Sequence, residues 1–261
     1  MPIVTLTTDW SSGDYYIAQL KGAILQTCPN VTIVDITHYI QPFNSIQAGF
    51  ILRNTYNAFP LGTIHLLGVN SEPSPRNKMV AIHVNGHFFV GINDGVFSLA
   101  LDDTPDYIIE LPDVDAMPGF RALPLFVYAT QELSASKSIT GLGKPCELKK
   151  DIRTNANYDD TGISGIVAYI DVFGNAISNI TRELFEKVGR GRAFEITVQS
   201  NHNRITHISE YYDDVPMGSL IAIFNSFDLL EIAMNQVNFA KLENLDTYSS
   251  IRIKFLNDRL F

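Results

Sequence analysis

Apolar and polar positions follow two different rhythms along this chain, and the change of rhythm divides it. In the first half, short apolar runs alternate with stretches of helical period. IVTLTT (3–8) reads as a strand closed by Asp9. YYIAQLKGAILQTC follows, with Ile17, Leu20 and Ile24 at helical spacing and Pro29 ending it. VTIVDI (31–36) is a second strand. NSIQAGFILRNTYNAF (44–59) is a second helix, with Asn44 at the N-cap and Gln47 three residues on in capping-box form. TIHLLGV (63–69) is a third strand, and MVAIHV (79–84) and HFFVGI (87–92) flank Asn85-Gly86, a two-residue hairpin signal. LPLFVYATQELSA (123–135) is a further helix. Alternation of this kind predicts a mainly parallel sheet covered by helices.

Beyond about residue 150 helical periodicity is scarce. RTNANYDDTG (153–162) is polar and reads as a linker or domain edge. The strand-like runs GIVAYID, NAISNI, AFEITV, RITHI, SLIAIF and SIRIKFL follow, with turn residues between them. They predict a small antiparallel sandwich or barrel. The expected organisation is an α/β domain over 1–155 and a smaller all-β, barrel-like domain over 163–261.

Composition narrows the function classes. With 261 residues, 46% of them hydrophobic and 18% charged, the chain has enough apolar material for real cores. A net charge of −9 without a Lys/Arg cluster argues against nucleic acid or an anionic membrane as partner. Cys28 and Cys146 have neither metal-ligand spacing nor the density of a disulfide scaffold. No apolar run approaches the roughly 20 residues that span a bilayer, and the expected setting is cytoplasmic.

The chain has no Walker loop, no G-x-S-x-G elbow, no HExxH and no dinucleotide fingerprint. Its six histidines are scattered, and none pairs at metal spacing with a nearby Cys or carboxylate, so metal catalysis is not expected. Polar residues at strand ends remain. Asp9 follows a buried-looking strand, where a carboxylate can accept two hydrogen bonds from a ribose diol; Asp14 opens a helix, where a carboxylate can pair with an ammonium group. Their plainer roles are strand end and helix cap. In GIVAYIDVFGNAISNI (165–180), Asp171, Phe173, Gly174 and Asn175 form a turn whose Phe and Asn could stack on and hydrogen-bond to a flat heterocycle. An ordinary hairpin with a Phe anchor explains it equally well. IFNSFDLLEIAMN (223–235) reads, by itself, as an ordinary turn.

Taken together, LTTDWSSGDYYIAQLKGAI, IVDITHYIQPFNSIQAGFIL, FPLGTIHL, HFFVGINDGVFS, YIDVFGNAISNI and NSFDLLEIA resemble the S-adenosylmethionine hydrolases (hydroxide adenosyltransferases), relatives of the fluorinating and chlorinating adenosyl enzymes. The resemblance runs over nearly the whole chain. It implies a homotrimer with active sites at subunit interfaces, and attack of water or hydroxide on the 5′ carbon of the substrate S-adenosylmethionine, with neither a metal nor a redox cofactor required. Carried over by position, Asp9 would bind the ribose hydroxyls, Asp14 the methionine amino group, and Phe43 would stand against the sugar. Phe173 and Asn175 would contact adenine, while Asp171 and Ser226 would hold the methionine end.

One stretch departs from the family pattern. VNSEPSPR (69–76) places Asn70 where relatives carry the acid of a water site, with Arg76 retained. GFRALP (119–124) places Arg121 where relatives carry a His, and Phe227 stands where an Arg often follows Ser226. The resulting catalytic set is Asn70, Arg76 and Arg121, with Glu72 as a carboxylate that could replace the missing one. Two other functions fit such a site: a protein that binds S-adenosylmethionine or adenosine with little catalysis, and an adenosyl transferase using a halide or other anion.

Overall fold

The computed structural model describes residues 1–114, 119–151, 155–199 and 204–256. The chain divides into two compact units, Met1–Ile152 and Arg153–Phe261.

The first unit runs β1 (Ile3–Thr8), α1 (Tyr15–Thr27), β2 (Thr32–Thr37), α2 (Ser45–Thr55), β3 (Ile64–Gly68), β4 (Met79–Val84), β5 (His87–Ile92), α3 (Val96–Ala100), β6 (Tyr107–Glu110), α4 (Ala122–Ser136) and β7 (Lys144–Pro145). Its strands form one sheet in the order β2-β1-β3-β5-β4-β6-β7. The sheet is mixed rather than mainly parallel. β2, β1, β3 and β5 are parallel neighbours, whereas β4 and β6 run antiparallel. The cause is the Asn85-Gly86 turn, whose two positive φ angles, 52° and 74°, fold β4 directly back on β5.

Helices cover both faces. Val4 and Leu6 of β1 pack with Leu20 and Ile24 of α1 and with Phe126 and Leu133 of α4. Leu67 of β3, Ile82 of β4 and Phe89 of β5 pack with Leu52 of α2 and Phe97 of α3. Each such buried side chain contributes about 1.5–3 kcal/mol. The Ile17–Leu20–Ile24 stripe is the buried face of α1. The cap of α2 differs in detail from a capping box. Asn44 accepts from the Gln47 amide at 2.9 Å, but the Gln47 side chain reaches past the cap to the Gln41 amide at 2.8 Å.

The second unit runs β8 (Asn157–Asp159), β9 (Gly162–Ile170), β10 (Ala176–Thr181), α5 (Arg182–Gly189), β11 (Phe194–Val198), β12 (Leu220–Phe224), β13 (Leu229–Met234), α6 (Phe239–Leu242) and β14 (Ser250–Phe255). These strands form an antiparallel path, β11-β14-β9-β10-β13-β12, with β8 beside β9. The first half of β9 pairs with β14 and the second half with β10, so one strand serves two stretches of sheet. The polar run 153–162 is not simply a linker: its residues 157–159 are β8, turned into β9 by Asp159, whose Oδ1 accepts from Thr161 and Gly162. RITHI is not a strand; Ile205 makes a single bridge to Ile196. α5 was not anticipated, although Thr181 caps it by accepting from the Leu184 amide at 3.1 Å.

Candidate functional site

In the first unit, the parallel order β1-β3-β5 brings three loops to one carboxyl edge, the usual place for ligands in α/β sheets. Asp9 follows β1, Asn70 follows β3 and Asp94 follows β5. The Oδ2 of Asp9 accepts from the Phe43 amide at 2.9 Å and the Asn70 amide at 3.3 Å. Its Oδ1 takes no hydrogen bond among the described residues. Asp9 therefore ties two loops together through one oxygen and leaves the other unbonded among the described residues. The Asn70 Nδ2 donates to Asp94 Oδ2 at 3.2 Å, and Ser45 Oγ donates to the same oxygen at 3.2 Å. Asp94 Oδ1 accepts from Val96 N at 3.1 Å and so opens α3.

The loops after β1, β2 and β3 each hold a non-glycine residue in left-handed backbone, Ser11 at φ 60°, Phe43 at φ 65° and Asn70 at φ 46°. Such conformations cost free energy and persist where surrounding contacts impose them. The Phe43 ring is 74% exposed beside that imposed backbone. Exposed Tyr15 opens α1 and exposed Tyr39 lies in the loop after β2, where its hydroxyl hydrogen-bonds Ser12. Trp10 packs edge-on to Phe120 at 5.2 Å and lies over Gly68. A Cβ at Gly68 would meet its ring at 2.7 Å, so only glycine seats the indole there.

The end of β1 has its own support. The Thr8 hydroxyl pairs with His38 Nδ1 at 2.9 Å, buried from solvent. His38 Nε2 lies 3.1 Å from Asp35 Oδ1, off the line of a good hydrogen bond, and Lys21 Nζ reaches Asp35 Oδ2 at 2.5 Å. Partial burial raises the Asp35 pKa, but the hydrogen bond from Lys21 and the nearness of His38 outweigh it and the carboxyl ends below its ordinary value. The Ser11 amide donates to His38 O at 2.8 Å, pinning the loop that follows Asp9.

The remaining candidates of this unit are placed as follows. Asp14 caps α1, its Oδ1 accepting from Tyr15 N at 2.9 Å, which is the plainer of its two roles. Glu72 accepts from the Arg121 amide at 3.2 Å and faces its Nε at 3.8 Å, so these two loop residues engage each other. Arg76 sits on the turn in which Asn77 N donates to Ser74 Oγ, and its guanidinium makes no hydrogen bond or ion pair among the described residues. The structure thus brings Asp9, Phe43 and Asn70 into one network and pairs Arg121 with Glu72.

In the second unit, Asp171 organises the β9–β10 turn. Its Oδ1 accepts from the amides of Phe173 and Asn175, both at 2.9 Å, and its Oδ2 from Asn175 Nδ2 at 3.0 Å. Asn175 is buried, while Val172 and Phe173 at the tip are 86% and 73% exposed. Gly174 has φ 86° and lies against Asn238, which a Cβ would strike at 2.2 Å. Ser226 is exposed on the β12–β13 turn, where Asn225 Oδ1 accepts from the amides of Phe227 and Leu229. Beneath that turn lies Glu231, 3% exposed, which accepts from the Tyr212 hydroxyl at 2.6 Å. Burial pushes its carboxyl above the ordinary range, against these hydrogen bonds and with help from the Asp171 charge. Sequence reasoning missed Glu231, Tyr212, His38 and Asp94. For Asp94 the signal was there: an acid just past a strand end, one residue further on than at Asp9.

Family models for the SAM hydroxide adenosyltransferase N-terminal domain and C-terminal domain match residues 4–143 and 165–252. This chain belongs to the SAM hydroxide adenosyltransferase family. Its relatives include an (R)-S-adenosyl-L-methionine hydrolase of Methanocaldococcus jannaschii, 23% identical over 97% of this chain and 96% of that one. A second hydrolase of that name, from Thermus thermophilus, is 26% identical over 89% and 92%. A fluorinase of Nocardia brasiliensis is 24% identical over 97% of each. The fold also matches a crystal structure of an uncharacterized conserved protein from Thermotoga maritima, with TM-score 0.87, 22% identity and coverage of 97% and 99%. These hydrolases and this fluorinase thus stand at similar distance from this chain. No helix among the described residues is long and apolar enough to cross a membrane.

Proposed function

We propose that the protein is an S-adenosyl-L-methionine hydrolase. Water attacks the 5′ carbon and the C5′–S bonding pair returns to sulfur as a thioether lone pair. The products are adenosine, L-methionine and a proton. The leaving group departs neutral from a sulfonium, so it needs no general acid, and positioning with exclusion of solvent supplies much of the barrier reduction. The observation that carries this reading is Asp9, whose Oδ2 is fixed by two loops while Oδ1 stays open to accept from a ribose diol.

In this reading Phe43 stands against the sugar, Asp14 meets the methionine ammonium, and Phe173 and Asn175 take the adenine. Asp171 and Ser226 hold the methionine end, and Asn70, Arg76 and Arg121 surround the nucleophile. The exposed Val172 and Phe173 suit burial between copies of the chain in a cytoplasmic homotrimer. A second reading, a binding protein for S-adenosylmethionine or adenosine, draws support from the Glu72–Arg121 pairing, which occupies the carboxylate that could have served as base.

One assay separates these readings and the anion-transfer one. Purified protein is incubated with S-adenosylmethionine, with and without chloride, and adenosine, 5′-halo-adenosine and methionine are measured. Adenosine in every buffer is expected. A halide-dependent product would replace hydrolysis by anion transfer, and calorimetric binding without product would leave only the binding protein.

A further inference from the structure

We propose that Asp94 is a positioning residue that holds the Asn70 carboxamide with its oxygen outward, as the acceptor for the attacking water. The inference rests on the hydrolase reading above and deepens it.

Asp94 receives three donors: Asn70 Nδ2, Ser45 Oγ and Val96 N. A carboxylate only accepts, so the half of the Asn70 amide facing it must be the NH₂. Turning the amide over would set two oxygens against each other at about the same distance. The orientation is therefore dictated by Asp94. The Asn70 main chain is held as well, left-handed at φ 46° with its backbone N–H donating to Asp9 Oδ2 at 3.3 Å, so the side chain starts from a fixed point.

This leaves Asn70 Oδ1 without a donor among the described residues, in the loop tied to Asp9. A water donating one hydrogen to Oδ1 keeps a lone pair free for attack. An amide takes no proton at neutral pH, so Asn70 orients the water and does not act as base. As the O–C5′ bond forms and the C5′–S bond breaks, the surplus proton passes to solvent. The negative charge of the pair sits on Asp94, one hydrogen bond behind the acceptor.

The test is a four-way comparison of wild type, Asp94→Asn, Asn70→Asp and the double variant. It measures kcat, KM for S-adenosylmethionine and adenosine affinity by calorimetry. Asp94→Asn keeps an oxygen for Val96 N but turns an NH₂ toward Asn70, whose amide must flip and present a donor. The expected result is a kcat loss of about tenfold or more, with KM and adenosine affinity within about threefold. Asn70→Asp sets two carboxylates face to face and lowers kcat as well. The double variant restores one donor and one acceptor with the roles exchanged, and kcat is expected to return to within about threefold of wild type.

A residue that mattered only for folding would not be rescued in this way. Wild-type kcat in Asp94→Asn, or no recovery in the double variant, would overturn the proposal. Asn70→Ala, which leaves Asp94 its other two donors, guards against misfolding: it should lose kcat as Asp94→Asn does, and unchanged kcat overturns the idea. A wild type that makes no adenosine overturns the hydrolase reading itself, and this inference with it.

Discussion

His65 lies under the sheet with its Nδ1 paired to the Thr5 hydroxyl at 2.8 Å and its Nε2 to His87 at 3.2 Å. Its ring stacks on Phe89 at 4.9 Å between centroids. Burial, and then the charge His87 would carry, lower its pKa from 6.5 to about 3. Burial lowers the His87 pKa as well. The unfolded chain therefore binds a proton at position 65 below pH 6.5, while the folded chain does not until near pH 3. Stability associated with the neutral ring is full above pH 6.5 and is lost as pH falls through that window. Linkage puts the loss between pH 7 and pH 5 at about 2 kcal/mol, a value nearly unchanged if the folded pKa is 4 instead of 3. For a unit of this size that is a fall in Tm of roughly 4–8 °C. His65→Gln keeps a hydrogen-bonding side chain but cannot titrate. Calorimetric melting of both proteins at the two pH values is the assay. The variant should melt lower at pH 7, through lost packing, yet show a pH 7 to pH 5 difference smaller by about 2 kcal/mol. Equal pH dependence in the two proteins would refute the reasoning, because every other titrating group is common to both.

Asp9→Asn should weaken adenosine binding by at least tenfold in calorimetry, since it removes the charge behind two backbone hydrogen bonds, each charge-assisted bond contributing about 1.5–3 kcal/mol. Unaltered affinity would remove Asp9 from the ribose site. Gly174→Ala should destabilise the second unit by about 1–3 kcal/mol in chemical denaturation, through positive φ and the Asn238 clash; a change under about 0.5 kcal/mol would contradict the turn geometry. Glu72→Gln should leave turnover within about twofold of wild type, because that carboxylate is engaged by the Arg121 amide. A tenfold loss there would return Glu72 to the role of base.

Elements with a local signal were legible in the sequence. The three-residue stripe of α1, the Asn44 cap and the Asn85-Gly86 turn each carry their cause within a few residues. Five-residue α3 is too short for a helical period to show, and α5 starts straight from a strand end at Thr181, so its eight residues read as a connection between two strand-like runs. Strand order was the harder matter. Periodicity finds β1, β3 and β5 but does not say that they are neighbours, and the meeting of Asp9, Asn70 and Asp94 depends on that order. Aligning Asn70 with an expected acid made it look like a loss of charge, whereas a carboxylate stands one hydrogen bond away on a different strand end. Glu231 reads from sequence as a polar residue in an apolar run, and the Tyr212 hydroxyl and Asn225 Nδ2, both brought in by other parts of the chain, satisfy its buried carboxylate.

The double duty of β9 bears on how the chain is made. β14, which follows every other described strand in sequence, supplies the pairing for the first half of β9 and, among the described residues, is the strand beside β11 in the sheet path. Met1–Ile152 contains every strand of its own sheet and can close while synthesis continues. The second unit must wait with an open edge until β14 has been made. A nascent chain stalled before Ser250 would carry a finished first unit and an unsealed second one, so a truncation there should cost far more than its length suggests.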